Sequence, residues 1–184
     1  VRVFEISSPQ PRVLRRLTDA FDLPDTRRFL EDPRVRIEIE DGRKALEAME
    51  TSYDLIEADA TWPETGGSGN LYSLEFFRSA ARRLKPGGVM CTWAPTPRIR
   101  ATFMAVFPYV LEHDQAELLV GSREPLRHAP PAWERRSRAV EAHLGWERLG
   151  DVQRVLAGLH RAGPAPRVRL NRDLFPRDEY ASLD

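Results

Sequence analysis

The sequence predicts an α/β fold built on a doubly wound, mostly parallel sheet. Short runs of strand-forming residues alternate, over the first two thirds of the chain, with segments whose apolar residues recur at helical spacing. Three of those runs stop at an acidic residue beside a turn: Glu5, Asp41 and Asp59. In open parallel sheets the carboxyl ends of the strands are where ligand-binding and catalytic side chains project.

Taken in order, Val1 to Ile6 alternates apolar and polar positions and runs out at Ser7-Ser8-Pro9. Val13 to Phe21 reads as a short helix with Val13, Leu14, Leu17 and Phe21 on one face, broken at Asp22-Leu23-Pro24-Asp25. Arg34 to Glu40 alternates strictly, with Val35, Ile37 and Ile39 on one side, and predicts a half-exposed strand. Asp41-Gly42-Arg43 then leads into a helix over Lys44 to Met49. Asp41 either caps that helix, for about 1 kcal/mol, or accepts a hydrogen bond from the exocyclic amine of an adenine. One carboxylate fills only one of these roles well.

The stretch from Tyr53 to Phe77 predicts a strand that ends at Asp59 before Thr61-Trp62-Pro63. Gly66, Gly67 and Gly69 predict a mobile loop able to close over a bound ligand. Tyr72 to Leu84 predicts a helix that buries Leu74, Phe77, Ala81 and Leu84. Asp59 is equally read, on spacing alone, as an acidic strand end before a surface loop. Leu84-Lys85-Pro86-Gly87-Gly88 forms a turn into a buried strand, Val89 to Trp93. Ile99 to Val110 follows as a helix that Pro108 ends or kinks, and Glu117 to Ser122 as a last strand.

This places a nucleoside-binding and catalytic domain over residues 1–124. From Pro125 the texture changes, and residues 125–184 are expected to form a helical extension packing on that domain. It holds a linker at Arg127 to Pro131, helices at Ala132 to Leu144 and Val152 to Leu159, and a polar, aromatic tail from Leu170 to Tyr180.

Composition bounds the function classes. The 28 basic residues equal the 28 acidic ones, which gives no global field for nucleic acid or an anionic membrane. Cys91 is the single cysteine, which excludes an internal disulfide and a cysteine-based metal site. The four histidines form no ligand spacing, so no metal site is read. No apolar run approaches the roughly 18 residues a membrane helix needs, and no signal peptide opens the chain. A cytoplasmic setting is permitted. Val1 to Ile6 looks like a strand already under way, and the chain reads as a fragment of something longer.

The ordered set is more specific than its parts. Glu5 after a strand, Asp41-Gly42-Arg43 after the next, Tyr53-Asp54-Leu55-Ile56 running to Asp59, Leu71-Tyr72-Ser73-Leu74-Glu75-Phe76-Phe77, and Leu84-Lys85-Pro86-Gly87-Gly88 resemble the spermidine synthase (polyamine aminopropyltransferase) family. That family lies within the Rossmann-type methyltransferase superfamily, and the likeness is strongest to its divergent bacterial branch. It runs from about Val1 to Trp93, with a weaker echo in Asn171 to Tyr180.

The resemblance implies that Glu5, with Ile6, holds the ribose hydroxyls of an S-adenosyl nucleoside and that Asp41 and Gly42 sit at its adenine. It makes Asp59 the catalytic carboxylate and places both Asp59 and Ala60 at the nucleoside. Trp62 and Tyr72 fall in the acceptor site; Trp62 stands where the family places a second aspartate. The family's Gly-rich nucleotide loop and first strand would precede Val1, so the sheet is expected to lack both, and the fragment to be inactive alone. The implied co-substrate is decarboxylated S-adenosylmethionine or S-adenosylmethionine, with no metal, no nucleic acid and a small-molecule amine as acceptor. The family also admits a homodimer, and membrane segments upstream that would tether the domain at the inner face of the membrane. Two alternatives stay open: an S-adenosylmethionine-dependent methyltransferase of the same fold, favoured by Trp62, and a non-catalytic nucleoside-binding or regulatory domain.

Overall fold

The alternation read in the sequence at residues 1–6 and 34–40 produces two short strands, β1 (Arg2–Glu5) and β2 (Arg36–Ile39). They pair in parallel from Arg2↔Arg36 to Glu5↔Ile39. The computed structural model describes residues 1–58, 62–126, 135–136, 138 and 155–180. It divides the chain into two compact units, Val1–Glu50 and Thr51–Asp184.

In the first unit, helices α1 (Gln10–Ala20) and α2 (Pro24–Glu31) connect the two strands, and α3 (Gly42–Ala48) follows β2. Proline in the first turn of both α1 and α2 costs nothing there, because those N–H groups have no intrahelical partner. Ala45 and Leu46 of α3 are buried. The face of α1 expected to be buried is not: Val13, Leu17 and Phe21 stay 47%, 44% and 70% exposed. Two four-residue strands offer too little sheet to cover it.

The second unit carries a five-stranded mixed sheet in the order β3-β4-β6-β5-β7. Its strands are β3 (Tyr53–Ala58), β4 (Leu84–Trp93), β5 (Tyr109–His113), β6 (Leu118–Ser122) and β7 (His160–Arg161). β3 and β4 are parallel, while β6 runs antiparallel to both β4 and β5. The turn expected at Leu84 to Gly88 sits inside β4 as a register break: Tyr53 pairs with Leu84, and Leu55 already with Val89.

Helix α4 (Leu74–Arg83) opens on Ser73, whose Oγ accepts from Phe76 N at 3.1 Å. Its start is two residues later than expected, because a short 3₁₀ turn at Ser68–Leu71 comes first. Helix α5 (Pro97–Met104) ends well before Val110. Tyr109 and Val110 lie instead in β5, a strand the sequence reading missed. Apolar residues at 103, 106, 107 and 110 carry helical spacing across Pro108, which stops the helix and releases the chain into extended backbone.

The core lies between α4, α5 and one face of the sheet. Phe77 and Phe103 meet edge to face with centroids 5.2 Å apart, and Phe103 and Phe107 lie 4.5 Å apart. Gly121 of β6 makes room for them, since a Cβ there would come within 2.5 Å of Phe103. The described part of the C-terminal segment packs on this unit through buried Leu159, Asn171 and Asp178. The helix expected at Ala132 to Leu144 falls almost wholly outside the described residues, as does the start of the one at Val152. Among the described residues, no helix is long and apolar enough to cross a membrane.

Candidate functional site

The first unit brings Glu5 and Asp41 to one edge. Glu5 ends β1 opposite Ile39, and Asp41 follows two residues after that pair, so both acidic groups stand at the carboxyl edge of parallel strands. Glu5 Oε1 accepts from Ser7 N at 2.7 Å, which ties the carboxylate to the turn after the strand. Ile6 is 76% exposed. Asp41 caps α3: its Oδ1 accepts from Arg43 N at 2.9 Å and from Lys44 N at 3.2 Å. A Cβ on Gly42 would sit 3.2 Å from Phe4 Cβ, so glycine is what lets the start of α3 approach β1 closely.

The second unit presents the end of β3 beside the end of β4. Asp59 and Ala60 lie outside the described residues; the preceding Ala58 offers its carbonyl to Thr92 Oγ1 at 3.1 Å. Trp62 is 66% exposed and meets Trp93 edge to face, centroids 5.0 Å apart. Trp93 ends β4, one residue past the last registered pair Ala58↔Thr92. Its indole Nε1 donates to Glu117 Oε2 at 3.1 Å. Glu117 has φ +50°, a left-handed conformation costly for a residue with a Cβ, and its carbonyl accepts from Ala94 N at 2.6 Å. Sequence reasoning missed Trp93 and Glu117. The signal available was that the run Val89 to Trp93 ends in an aromatic residue, as Trp62 follows the end of the run from Tyr53.

The Gly-rich loop differs from the mobile lid expected of it. Glu179 grips it from the C-terminal tail, Oε1 accepting from Gly67 N at 2.9 Å and Oε2 from Gly69 N at 3.2 Å. Within the loop, buried Ser68 donates its hydroxyl to the Pro63 carbonyl at 2.6 Å. Tyr72 is wholly buried at the end of that loop, in the core rather than on an open surface.

Glu112, Asp114 and His160 converge at the opposite lateral edge of the sheet, where β7 pairs with β5, with potential ligand atoms within 4.8 Å of one another. No spacing in the sequence announced this, because β7 reaches β5 only through the fold. Glu112 is already engaged: Arg100 donates to it from Nε at 2.6 Å and from a terminal nitrogen at 3.1 Å, and Gly163 N donates at 3.0 Å. Burial opposes ionisation of Glu112, but the Arg100 and Gly163 hydrogen bonds outweigh it and hold the carboxyl below its ordinary 4.5. A lowered folded-state pKa stabilises the fold above the unfolded value and is lost as pH falls through the folded one. Glu112→Gln is therefore expected to destabilise the protein by about 1–2 kcal/mol near neutrality and less at about pH 3, read by urea titration at the two pH values. An equal loss at both would show that the pair contributes nothing through its charge.

Comparison with known proteins bears on the family and the fold. The family model for the spermine/spermidine synthase domain matches residues 20–107. A polyamine aminopropyltransferase of Nitrosomonas europaea is 30% identical over 169 residues, which cover 84% of this chain and 52% of that protein. One from Alkaliphilus oremlandii is 41% identical over 75 residues, 41% of this chain and 26% of the relative. The chain thus spans about half the length of the first relative and about a quarter of the second.

Among solved structures, human methyltransferase-like protein 13 in complex with SAH aligns at TM-score 0.53 and 19% identity, over 79% of this chain and 71% of that one. A spermidine synthase in complex with the transition-state analogue AdoDATO aligns at TM-score 0.50 and 21% identity, over 67% of this chain and 46% of that one. At these identities the two structures speak for the fold alone. Residues 20–107 thus match the spermine/spermidine synthase domain, the chain is similar to polyamine aminopropyltransferases over about half of their length, and its fold is Rossmann-like, as in the methyltransferase-like neighbour.

Proposed function

We infer that the protein transfers an aminopropyl group from decarboxylated S-adenosylmethionine to a small-molecule amine. The observation that carries this reading is the placing of Glu5 and Asp41 at one carboxyl edge, in a chain whose residues 20–107 match the spermine/spermidine synthase domain. Glu5, with Ile6, takes the ribose hydroxyls, for which a carboxylate supplies paired acceptors. The two roles of Asp41 set against each other in the sequence need not compete: both cap bonds fall on Oδ1, and Oδ2 is the oxygen we assign to the adenine amine beside Gly42.

Asp59, with Ala60 beside it at the nucleoside, works at the reacting centre. The acceptor nitrogen attacks the carbon next to the sulfonium; the new C–N bond forms as C–S breaks, and the bonding electrons return to sulfur as a neutral thioether. The nitrogen must be neutral to attack, although alkyl amines are protonated near pH 7. Asp59 orients it and accepts the proton released as the bond forms. Sulfur loses its charge in the step, so positioning matters more than stabilisation of a new anion. Trp62, backed by Trp93, offers an aromatic face to a cationic amine. The chemistry needs no metal, and we place the domain in the cytoplasm with its small-molecule substrates. A homodimer, and tethering of a longer parent at the inner face of the membrane, are further features we expect of the whole protein.

Calorimetric binding of decarboxylated S-adenosylmethionine, S-adenosylmethionine and methylthioadenosine to the full-length protein tests this. Preference for the decarboxylated form is the expected result. Preference for S-adenosylmethionine would assign methyl transfer instead, and absence of binding would make the domain a non-catalytic relative.

A further inference from the structure

We propose that the C-terminal tail, Asn171–Tyr180, is a positioning element of the acceptor site, and that Glu179 is the residue through which it sets the loop carrying Trp62. This rests on the acceptor role proposed above for Trp62.

The contact is built from both sides. Each carboxylate oxygen of Glu179 takes one loop amide, Gly67 N and Gly69 N, across 112 and 110 residues of sequence. Gly67 has φ +87°, which lets neighbouring N–H groups converge into a concave anion-binding nest. Hydrogen bonds from amides to an ionised carboxylate are stronger than neutral ones. Gly69 is shaped by the tail as well: a Cβ there would lie 2.2 Å from Pro176 Cβ and 2.8 Å from Glu179 Oε2. The glycines are thus used for docking rather than for mobility.

The tail holds Glu179 on a fixed post. Its neighbour Asp178 is buried and accepts from Thr96 Oγ1 at 2.9 Å, Arg98 Nε at 3.1 Å and Asn171 Nδ2 at 2.7 Å. Asn171 is fully buried; its N–H donates to Thr102 Oγ1 at 3.0 Å and its carbonyl accepts from Leu74 N at 3.0 Å. Buried polar groups satisfied this completely form a rigid unit. From Gly67 the constraint runs back to the aromatic pair through short bonds: Ser68 N to Thr65 O and Thr65 N to Trp62 O, both 2.9 Å. A shift of the glycines therefore moves Trp62 against Trp93.

The test compares wild type with Glu179→Ala, Glu179→Gln and Gly69→Ala in the full chain. Glu179→Ala is expected to speed amide exchange at Gly67 and Gly69 by about tenfold or more, and to move the indole N–H resonance of Trp62. Glu179→Gln keeps one oxygen acceptor and is expected to fall between. Gly69→Ala displaces the tail with Glu179 intact and should reproduce the acceleration at Gly67. The double variant should add nothing further, because both changes break one contact. In turnover assays of the full-length protein, the acceptor KM is expected to rise with kcat within about twofold.

Exchange at wild-type rates in Glu179→Ala would overturn the contact. Faster exchange with an unmoved Trp62 resonance would overturn its positioning role. Absence of aminopropyl transfer in the wild type would retire the proposed reaction alone, and the exchange and resonance measurements would still decide the role of the tail.

Discussion

Asp59→Asn in the full-length protein is expected to lower aminopropyl transfer about 10²–10⁴-fold, the range a positioned general base supplies. The substitution keeps the shape and the hydrogen-bonding oxygen and removes the capacity to accept a proton. At about pH 7 only about one part in 10³ of an alkyl amine is neutral, so the variant should recover partially as pH rises and solvent takes over deprotonation. Binding of the nucleoside should change little, since its ribose and adenine contacts are assigned to Glu5 and Asp41. Initial rates against pH, with calorimetry alongside, separate the two effects. A kcat within a few-fold of wild type across that range would leave Asp59 an ordinary acidic strand end.

The largest effect on stability is expected from Phe103→Ala, about 3–5 kcal/mol. Phe103 is fully buried and meets both Phe77 and Phe107, so truncation removes two aromatic contacts and opens a cavity that α4, α5 and β6 cannot fill together. Gly121 packs directly under the ring, and its lack of a side chain leaves nothing to relax into the gap. Phe103→Leu keeps most of the volume and should cost less than about 1.5 kcal/mol. Urea titrations monitored by circular dichroism read both, with the midpoint moving and the slope preserved. A cost near that of Phe103→Leu for the alanine variant would mean that the cluster collapses around the hole.

Much of this was legible in residue order. Strict alternation at Val35, Ile37 and Ile39 marked β2, because period-two burial is dictated by the pleat. Asp41 was read as either a helix cap or an adenine contact, and the structure shows the cap, because a short acidic side chain before a helix is the simplest answer to unpaired N–H groups. The ordered acidic strand ends and the segment Leu71 to Phe77 pointed to the spermidine synthases, and the family and relatives agree.

What local pattern could not supply were facts of long-range pairing. β5 was hidden by apolar residues whose helical spacing continued past Pro108, and only its antiparallel pairing with β6 identifies it as a strand. Trp93 gained a role from the register that sets β4 beside β3. The face of Val13, Leu17 and Phe21 was periodic enough to predict burial, but a hydrophobic stripe states only that it can be buried, not that a surface is available to cover it.

The sequence by itself determined the α/β class, the cap at Asp41, the acidic end of β1 at Glu5 and the likeness to the spermidine synthases, because each is written in the spacing and type of neighbouring residues. Only the tertiary structure decided what the Gly-rich loop is for. Its glycines are conformationally free in any isolated segment, and sequence reads that freedom as motion. Bringing Glu179 and Pro176 against them from more than a hundred residues away turns the same freedom into a docking surface, because bare backbone N–H groups can then meet a carboxylate.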